Sequence, residues 1–380
     1  MGIKDGCWVM ESDVCSRSID DEQSLVLDYA YYGDENPEKI AKATAVEQSI
    51  EFPFELVTHP AIADNIVPRL VRMEAASKPA RFSLSFNPEI TGYEIPQLLN
   101  VLFGNISMLD NIRLEDVHFP ASLLSKWGPA FGVEGIRRLT GKYTGPLVCG
   151  ALKPMGLTTK TLADAAKNFV IAGVDCIKDD HGIADQSFGR FKERVLKCSE
   201  AVREACIKFD RKTLYVPNIS GPVDALMERA HFAKEAGAGG LMVAPGLMGF
   251  DAIRCLREDP ALRMPIFAHP SLLGSLALNP HQGMAFRLVF GLLPRLAGAD
   301  ASIFPNHGGR FRFSVEDCHD IARGCLETLG TLSPILPSPA GGMRVGSVSS
   351  IIDDYGTENV MVLIGGDLYR RLPISERISF

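Results

Sequence analysis

A lysine, two aspartates and a histidine stand in a row within the stretch DCIKDDHGIADQ, residues 175–186. They directly follow a short apolar run. Such a group could be a charged surface turn, or it could be a metal site at the end of a β-strand. Neighbouring side chains on a strand point to opposite faces, so Lys178 and Asp180 would face one way and Asp179 the other. His181 comes just after the strand, where a loop could turn its ring towards the first two.

Further polar and glycine residues stand where other apolar runs end. These positions are Lys153, Asn218, His269, Asn306 to Arg310, Ala340 to Gly342 and Gly365 to Asp367. A set of unrelated surface loops would not be expected to bring lysines, histidines and two Gly-Gly pairs to these places. Which interpretation holds therefore depends on the elements that come before them.

From Gly145 onward, short apolar runs alternate with amphipathic helical stretches such as TTKTLADAAKNFVIAG. The runs read LVCGALKP, VDCIKDD, TLYVPNIS, GGLMVAP, MPIFAHP, ASIFPN, PILPSPAGG and VMVLIGG. Apolar strands that alternate with helices indicate a parallel sheet covered on both faces. Eight units favour a closed (β/α)8 TIM barrel over an open doubly wound sheet, and no GxGxxG follows the first strand. In such barrels the catalytic residues lie at the carboxyl ends of the strands.

The residues before this repeat have a different pattern. SLVLDYAYY and RFSLSFNP resemble strands, whereas NPEKIAKATAVEQSIE and EIPQLLNVLFGN have helical spacing. We therefore expect an α/β protein with an N-terminal α+β domain over residues 1–135 and a catalytic barrel over residues 136–380. Only a short stretch containing Pro373 follows the eighth run, and it would make a poor helix. The barrel could thus be truncated at its C-terminus.

Composition narrows the class of protein. The net charge of the 380-residue chain is −7 and no basic cluster runs through it, so we do not expect a nucleic-acid partner. Nine cysteines without CxxC spacing suit a reducing compartment. The polar start has no signal-peptide core, and no uncharged apolar run is long enough to span a membrane. These features predict a soluble cytoplasmic protein without a membrane partner.

Two of these segments carry a family resemblance. GPLVCGALKPMGLT followed by AGVDCIKDDHGIADQSFGRF resembles the large subunit of RuBisCO, whose first two barrel strands end in Lys-Pro-Lys and Lys-Asp-Asp-Glu sequences. LLNVLFGN, IRLEDVHFP and TAVEQSIE are similar to segments of its N-terminal domain. The resemblance implies the TIM barrel and a ferredoxin-like α+β N-terminal domain.

The sequence also departs from the carboxylase pattern. Met155 replaces the second lysine of Lys-Pro-Lys, and His181 replaces the glutamate after the two aspartates. His-Pro (269–270) stands where the family has His-Arg, Ala-Gly-Gly (340–342) where it has Ser-Gly-Gly, and Phe-Pro (52–53) where it has Thr-Trp. The chain therefore resembles a RuBisCO-like protein (form IV), the group that keeps the scaffold without fixing carbon dioxide.

The resemblance implies a metal site at the second strand. In the family the lysine equivalent to Lys178 reacts with carbon dioxide to form a carbamate, an anion whose oxygens can bind a metal. Lys178 as carbamate, Asp180 and His181 would then hold a divalent metal, most simply Mg²⁺, which prefers oxygen ligands. The imidazole would also suit manganese, iron or zinc. A structural salt bridge of Lys178 with a neighbouring aspartate is the alternative.

The resemblance also implies catalytic residues. Lys153 would be an acid–base group, and His269 would contact the substrate. Glu47 and Asn105 belong to the N-terminal domain, which in the family covers the barrel mouth of a second subunit. That arrangement implies a homodimer or a larger assembly with shared active sites.

Phosphate-binding residues are expected at the ends of the last strands, because bare backbone N–H groups can approach an oxyanion there. The candidates are Gly341, Gly342, Gly365 and Gly366. Arg310, in the NHGGRF segment, could replace the lysine of the family's mobile sixth loop.

The function expected from this reasoning is chemistry on a phosphorylated keto sugar or sugar acid through an enediolate beside the metal. The altered fifth strand at His269-Pro270, Met155 and the NHGGRF segment favour decarboxylation or hydrolytic C–C cleavage of a 3-oxo sugar-acid phosphate, of the 3-oxo-isoapionate 4-phosphate type. The alternative is an enolase or isomerase of 5-methylthioribulose-1-phosphate-type substrates. A non-catalytic binding or regulatory relative is the alternative of another class.

Overall fold

The computed structural model describes residues 23–378 and 380, and the chain divides into two compact units. The first unit comprises the chain up to Trp127 together with Gly274–Val289. The second comprises Gly128–Leu273 and Phe290–Phe380. The sequence pattern predicts one continuous catalytic domain over residues 136–380. The structure differs in assigning Gly274–Val289 to the first unit.

The strands, in chain order, are β1 (Leu25–Tyr31), β2 (Arg69–Glu74), β3 (Ala80–Phe86), β4 (Ile112–His118), β5 (Leu147–Leu152), β6 (Cys176–Asp179), β7 (Leu214–Val216), β8 (Leu241–Val243), β9 (Ile266–Ala268), β10 (Gly283–Met284), β11 (Ala301–Pro305), β12 (Leu336–Ala340) and β13 (Met361–Ile364).

The α-helices are α1 (Pro37–Glu47), α2 (Pro60–Asn65), α3 (Ile95–Phe103), α4 (Ala121–Leu124), α5 (Gly132–Thr140), α6 (Thr159–Ala172), α7 (Phe191–Phe209), α8 (Leu226–Glu235), α9 (Pro245–Met248), α10 (Asp251–Glu258), α11 (Gly274–Ala277), α12 (Leu293–Ala297), α13 (Val315–Leu326), α14 (Ile351–Tyr355) and α15 (Gly366–Tyr369). Among the described residues, no helix combines the length and the apolar character that crossing a bilayer would require.

The first unit is built on a five-stranded sheet in the order β10–β4–β1–β3–β2. Its four longer strands pair antiparallel, whereas β10 pairs parallel to β4. Arg113 on β4 attaches the returning segment, because its guanidinium donates to the carbonyls of Ala277, Asn279 and Gln282 at 3.1, 2.8 and 3.2 Å. These bonds satisfy carbonyl groups that the short segment cannot pair by itself.

The second unit is a (β/α)8 barrel. Its parallel strands form two hydrogen-bonded sets, β13–β5–β6–β7 and β8–β9–β11–β12. A parallel bridge between Asn218 and Met242 joins β7 to β8, and the Ser338 hydroxyl donates to the Met361 carbonyl at 2.8 Å across β12 and β13. All eight apolar runs named from the sequence form strands of this barrel. The predicted fold class is therefore confirmed.

Helix α6 and strand β5 show how local sequence supports the barrel. The Thr158 side chain caps the helix by accepting from the Thr161 N–H, and Gly173 ends it in the left-handed conformation at φ +89°. Gly150 in β5 allows the helix to approach closely, because a Cβ there would lie 2.7 Å from the Phe169 ring. This contact fixes the strand that carries Lys153 at its end.

The C-terminal tail packs along the same helix. The Ile374 N–H donates to the Asn168 side chain at 2.9 Å, and the Ile378 N–H donates to the Ala172 carbonyl at 3.0 Å. The Ile374 side chain is buried. After β13 and the short helix α15, a tail without regular secondary structure therefore packs against α6.

Candidate active site

Lys178 lies on β6 at the carboxyl end of the barrel strands, with only 2% of its surface exposed. Its Nζ donates to the backbone carbonyl of Asp179 at 3.0 Å. Burial lowers the pKa of the Lys178 amine, because an ammonium loses hydration there, and the nearby Asp180 carboxylate only partly opposes this. The site therefore favours a neutral amine more than water would.

Asp180 follows directly and lies between two basic side chains. Lys153 Nζ and His181 Nδ1 are each 3.5 Å from its Oδ1. Burial alone would raise the pKa of this carboxyl, but the His181 contact and the charges of Lys153 and Lys178 lower it well below its usual range. Asp180 is therefore ionised at any pH at which the protein would work.

His181 and His269 stack face to face. Their ring centroids are 4.4 Å apart and the rings are inclined by 16°. The Nδ1 of His269 lies 3.0 Å from the Ser271 hydroxyl and accepts from the Ser271 N–H at 3.3 Å. Burial lowers the pKa of His269 well below its ordinary value, and the charge of Lys178 adds to this. His269 is thus a neutral imidazole beside the lysine–aspartate pair.

Asp179 points to the opposite side of β6 and is fully buried. Its carboxylate accepts from Arg194 Nε at 3.0 Å, from the Tyr215 hydroxyl at 2.9 Å and from the Asn218 N–H at 3.1 Å. Arg194 comes from α7 and is itself fully buried. Strand alternation thus divides the two aspartates, so that Asp180 faces the lysines and Asp179 anchors the helix layer.

Asn218 holds the loop that carries His181. Its Nδ2 donates to the carbonyls of His181 and Ile183 at 3.0 and 3.1 Å, and its side chain is almost fully buried. The sequence pattern marks Asn218 only as a polar residue at a strand end, and it does not single out Arg194. The one available signal for Arg194 was an arginine among the apolar positions of FKERVLKC.

Met155 lies against the same loop from the other side. Its side chain is about half exposed, and its sulfur is 3.8 Å from Gln186 Nε2. A Cβ added to Gly182 would be 3.1 Å from the Met155 methyl group. Where a second lysine would bring positive charge, this chain therefore presents an apolar side chain.

The two Gly-Gly pairs lie in different surroundings. Gly365 is next to Lys153, because a Cβ there would be 3.2 Å from Lys153 Cε, and the backbone N–H of Lys153 donates to the Tyr369 hydroxyl at 2.8 Å. Gly341 and Gly342 instead line a cavity of about 310 Å³ with residues that follow β11.

Arg310 is exposed, with its guanidinium stacked over the Phe311 ring at 5.2 Å. It is absent from the residues that line the cavity beside Gly341. Its expected part in substrate binding stays a prediction.

Glu47 and Asn105 are brought together within the first unit. Asn105 Nδ2 donates to Glu47 Oε1 at 2.8 Å. Gln48 fixes the end of α1 beside them, since its amide donates to the carbonyls of Asn100 and Val101 at 2.7 and 2.8 Å. The pair presents one carboxylate oriented by one amide.

The residues at β6 suit the expected metal site in chemical type. Among the described residues, no three His, Cys, Asp or Glu side chains lie close enough to hold a metal ion. A metal bound at β6 would therefore need a ligand from Lys178 as well. The buried amine with a lowered pKa fits carbamate formation, and the ionised Asp180 beside the His181 imidazole supplies the other two donors.

Comparison with known proteins identifies the family. The sequence profile of the ribulose bisphosphate carboxylase large chain, catalytic domain, matches residues 132–309. Ribulose bisphosphate carboxylase-like protein 1 of Rhodopseudomonas palustris is 39% identical over 331 residues, covering 86% of this chain and 88% of the relative. The chain belongs to the RuBisCO large-chain family. A crystal structure of a Rubisco-like protein from the same organism superposes with a TM-score of 0.83 at 36% identity, covering 93% of this chain and 99% of that one.

Other relatives carry names of activities. The 5-methylthioribulose-1-phosphate isomerase of Rhodospirillum rubrum is 39% identical over 334 residues, covering 86% of each protein. The 2,3-diketo-5-methylthiopentyl-1-phosphate enolase of Bacillus pumilus is 31% identical over 275 residues, covering 72% of this chain and 68% of the relative. These names favour the isomerase or enolase alternative over the sugar-acid cleavage expected from the sequence. The chain is related to metabolic enzymes that act on sugar-derived phosphates.

Proposed function

We propose that this protein is an isomerase of 5-methylthioribulose 1-phosphate or a closely similar phosphorylated keto sugar. The observation that carries the proposal is the relative of that name, which is 39% identical and matches along 86% of both chains. The proximity of Lys153, Lys178 and Asp180 at the barrel mouth supports it, because proton transfer next to a carbonyl needs a base and a nearby positive charge.

The residues divide into two roles in this mechanism. Lys153, about one-third exposed and 3.5 Å from Asp180, moves the proton between adjacent carbons of the sugar. His269, a neutral imidazole, contacts the substrate oxygens beside it. Lys178 as carbamate, Asp180 and His181 would hold a divalent metal, which when bound supplies Lewis-acid polarisation of the substrate carbonyl.

We also propose a homodimeric or larger assembly with shared sites. Glu47 and Asn105 form a preset carboxylate–amide pair in the first unit, and their part in catalysis is to complete the barrel mouth of a neighbouring subunit. A symmetric dimer would form two such composite sites at once.

The test is incubation of the purified protein with 5-methylthioribulose 1-phosphate in D₂O, followed by proton and carbon NMR. Isomerisation predicts a shifted carbonyl and deuterium at the neighbouring carbon. Separate reactions contain 2,3-diketo-5-methylthiopentyl 1-phosphate and 3-oxo-isoapionate 4-phosphate. Turnover of only the diketone would identify an enolase instead of an isomerase. Release of CO₂ or a shortened acid from only the sugar acid would support the cleavage hypothesis.

A further inference from the structure

A second cavity lies beside helix α13, away from the candidate active site. Its volume is about 440 Å³, within the range of pockets that bind small molecules. Besides residues of α13, it is lined by Pro334, which precedes β12, and by Thr357 and Asn359, which precede β13. The cavity therefore lies towards the amino ends of these strands, whereas Lys153 and Lys178 lie at the carboxyl ends of theirs.

Apolar groups form part of the cavity wall. Ala322 and Leu326 are one turn apart on α13, and Pro334 and the ring of Tyr355 add further apolar surface. The Tyr355 ring is held in place, because its hydroxyl donates to Asn306 Oδ1 at 2.5 Å. A ligand that covers these groups removes apolar surface from water, which favours binding.

Thr357 and Asn359 add hydrogen-bond donors to this wall. Arg137 donates to Asn359 Oδ1 from Nε and Nη2, at 3.2 and 3.1 Å. Because a guanidinium can only donate, the amide oxygen of Asn359 must face it, and the amide NH₂ group is left over. The Thr357 hydroxyl oxygen accepts from the Asn359 N–H at 3.1 Å, so its own proton is also available. Among the described residues, neither donor has an acceptor.

Two basic side chains of α13 line the same cavity. His319 and Arg323 are four residues apart and so lie on one face of the helix. Arg323 is more than half exposed and pairs with Asp320 at 3.0 Å, an exposed contact that stabilises little. His319 Nε2 is 3.8 Å from Asp354 Oδ1, which is too long for a hydrogen bond. None of the described residues that line the cavity is an aspartate or a glutamate.

The combination of donors and apolar groups selects the class of ligand. A carboxylate can accept two parallel N–H bonds from the Arg323 guanidinium. The apolar side chains of Ala322 and Leu326 lie beside Arg323 on the same helix, so the rest of such a ligand would cover them. A small inorganic anion would leave this apolar surface in water, and a neutral apolar molecule would leave the donors without acceptors.

Two residues that line the cavity also contact residues that hold the loop after β11. His319 is near Asp354, whose other carboxylate oxygen is 2.7 Å from His307 Nε2 in that loop. Tyr355 reaches the same loop through its bond to Asn306. A ligand in the cavity would thus be connected through helix α14 to a loop at the carboxyl ends of the strands.

We infer that this cavity is a second binding site, for a small carboxylate with an apolar body. Arg323 binds the carboxylate, the Thr357 hydroxyl and the Asn359 amide donate to it from the other side, and Ala322, Leu326 and Tyr355 contact the apolar part. The site is independent of the proposed isomerase reaction, because none of the candidate active-site residues lines it.

The test uses 4-fluorobenzoate as the probe and fluorine NMR of the probe in the presence of the full chain. We expect its signal to broaden in a saturable way, and 4-fluorobenzyl alcohol, which has the same ring without the charge, to bind much more weakly. Arg323→Gln should weaken binding of 4-fluorobenzoate roughly tenfold, since hydrogen bonds between charged groups are the stronger ones. Thr357→Val should weaken it about fivefold, the usual effect of one hydrogen bond.

Arg138→Gln is the matched control, because Arg138 is also an exposed helix arginine paired with a carboxylate on its own helix. It should bind the probe as the parent does, and thermal unfolding should show that all three variants are folded. The inference is overturned if 4-fluorobenzoate does not bind, if the alcohol binds equally well, or if Arg323→Gln binds no more weakly than Arg138→Gln. No turnover is measured, so failure of the isomerase proposal would leave these outcomes unchanged.

Discussion

Asp179 and Arg194 form an ion pair in which both side chains are fully buried, with 3.0 Å between Oδ2 and Nε. Arg194 also donates to the carbonyls of Ala184 and Gly189, at 2.7 and 2.9 Å. The pair therefore fixes β6, helix α7 and the loop between them. That loop begins with Asp180 and His181, so the position of the candidate active site depends on this buried charge pair.

Asp179→Asn should destabilise the barrel strongly, because it leaves the buried Arg194 charge without its counterion. Loss of one partner of a buried pair costs about 3–5 kcal/mol. We expect the melting temperature to fall by roughly 6 °C or more. Asp320→Asn, which removes a half-exposed partner of Arg323, is the control and should change it little. An equal, small effect of both substitutions would contradict this account.

Asp180→Asn should reduce activity and leave stability nearly unchanged, the reverse of Asp179→Asn. The carboxylate lies beside Lys153 and His181 at the open end of the strand, so its loss should abolish turnover while the melting temperature stays near that of the parent. Activity assays and thermal unfolding on the same preparations would measure both. A variant with normal turnover would remove Asp180 from the reaction.

Lys178 should carry a carbamate. After equilibration with carbon-13 bicarbonate, NMR should show a carbamate carbonyl signal in the parent protein and none in Lys178→Ala, which should also lose activity. Lys197→Ala, which removes an exposed lysine paired with Glu193, is the control and should keep the signal. Persistence of the signal in Lys178→Ala would place the modification elsewhere.

His181→Glu should keep metal binding and shift its preference towards Mg²⁺, measurable as metal-dependent thermal stabilisation.

Asp300 should make stability depend on pH. Burial raises its pKa from 3.8 to about 6, although three backbone N–H groups donate to it, those of Phe131, Gly132 and Ile266. The folded state therefore binds a proton more tightly than the unfolded state. The stabilisation of the folded state by protonated Asp300 is complete below pH 3.8 and is lost as the pH rises through about 6.

Comparison with Asp300→Asn isolates this contribution. Between pH 7 and pH 5 the parent should gain about 1 kcal/mol relative to the variant. The gap between their melting temperatures should widen by a few degrees over that range. A gap that narrows on acidification would refute the assignment.

Sharing of active sites between subunits can be tested by mixing inactive variants. If sites are shared in a dimer, Glu47→Gln and Lys178→Ala should each inactivate the dimers that they form alone. In a mixed dimer, one barrel has Lys178 and receives Glu47 from the partner, so about a quarter of the parental activity should return after subunit exchange. If activity stays absent although mixed dimers form, Glu47 does not serve a neighbouring barrel.

No carboxylation of ribulose bisphosphate is expected. Met155 and Pro270 replace cationic side chains of the carboxylase pattern, and Met155 covers Gly182 with apolar atoms. Assays with radiolabelled bicarbonate should detect no phosphoglycerate. Carbon-dioxide-dependent product formation would disprove the exclusion.

The barrel was predictable because its signal is repeated. Each apolar run is a strand buried on both faces, and each ends where polar residues begin. Asp179 and Asp180 could be assigned to opposite sides from strand alternation alone. The returning segment at Gly283–Met284 was not predicted, because a two-residue strand has no periodicity. Strand β2 was also missed, since its RLVRME sequence is largely half-exposed and carries charge.

The site could be predicted only where it depends on neighbouring positions in the sequence. Lys178, Asp180 and His181 are close together in the chain, and Lys153 directly follows β5, the strand that precedes β6 and pairs with it. The position of Arg194 and the cavity lined by Gly341 and Gly342 depend on contacts between distant segments, which no local pattern encodes. Glu47 and Asn105 contact each other in the first unit, and their expected part in the barrel of a second subunit stays a prediction.

The return of Gly274–Val289 to the first unit has a consequence for synthesis. Strand β10 completes the five-stranded sheet by pairing with β4, yet the ribosome makes it only after β5 to β9. The outer edge of β4 therefore has no partner strand for a time on the order of ten seconds at usual elongation rates. An open strand edge of this kind is a point for unwanted pairing with other nascent chains. Arg113 on β4 donates to three carbonyls of the late segment, and these bonds favour pairing of β4 with β10 over pairing with another chain.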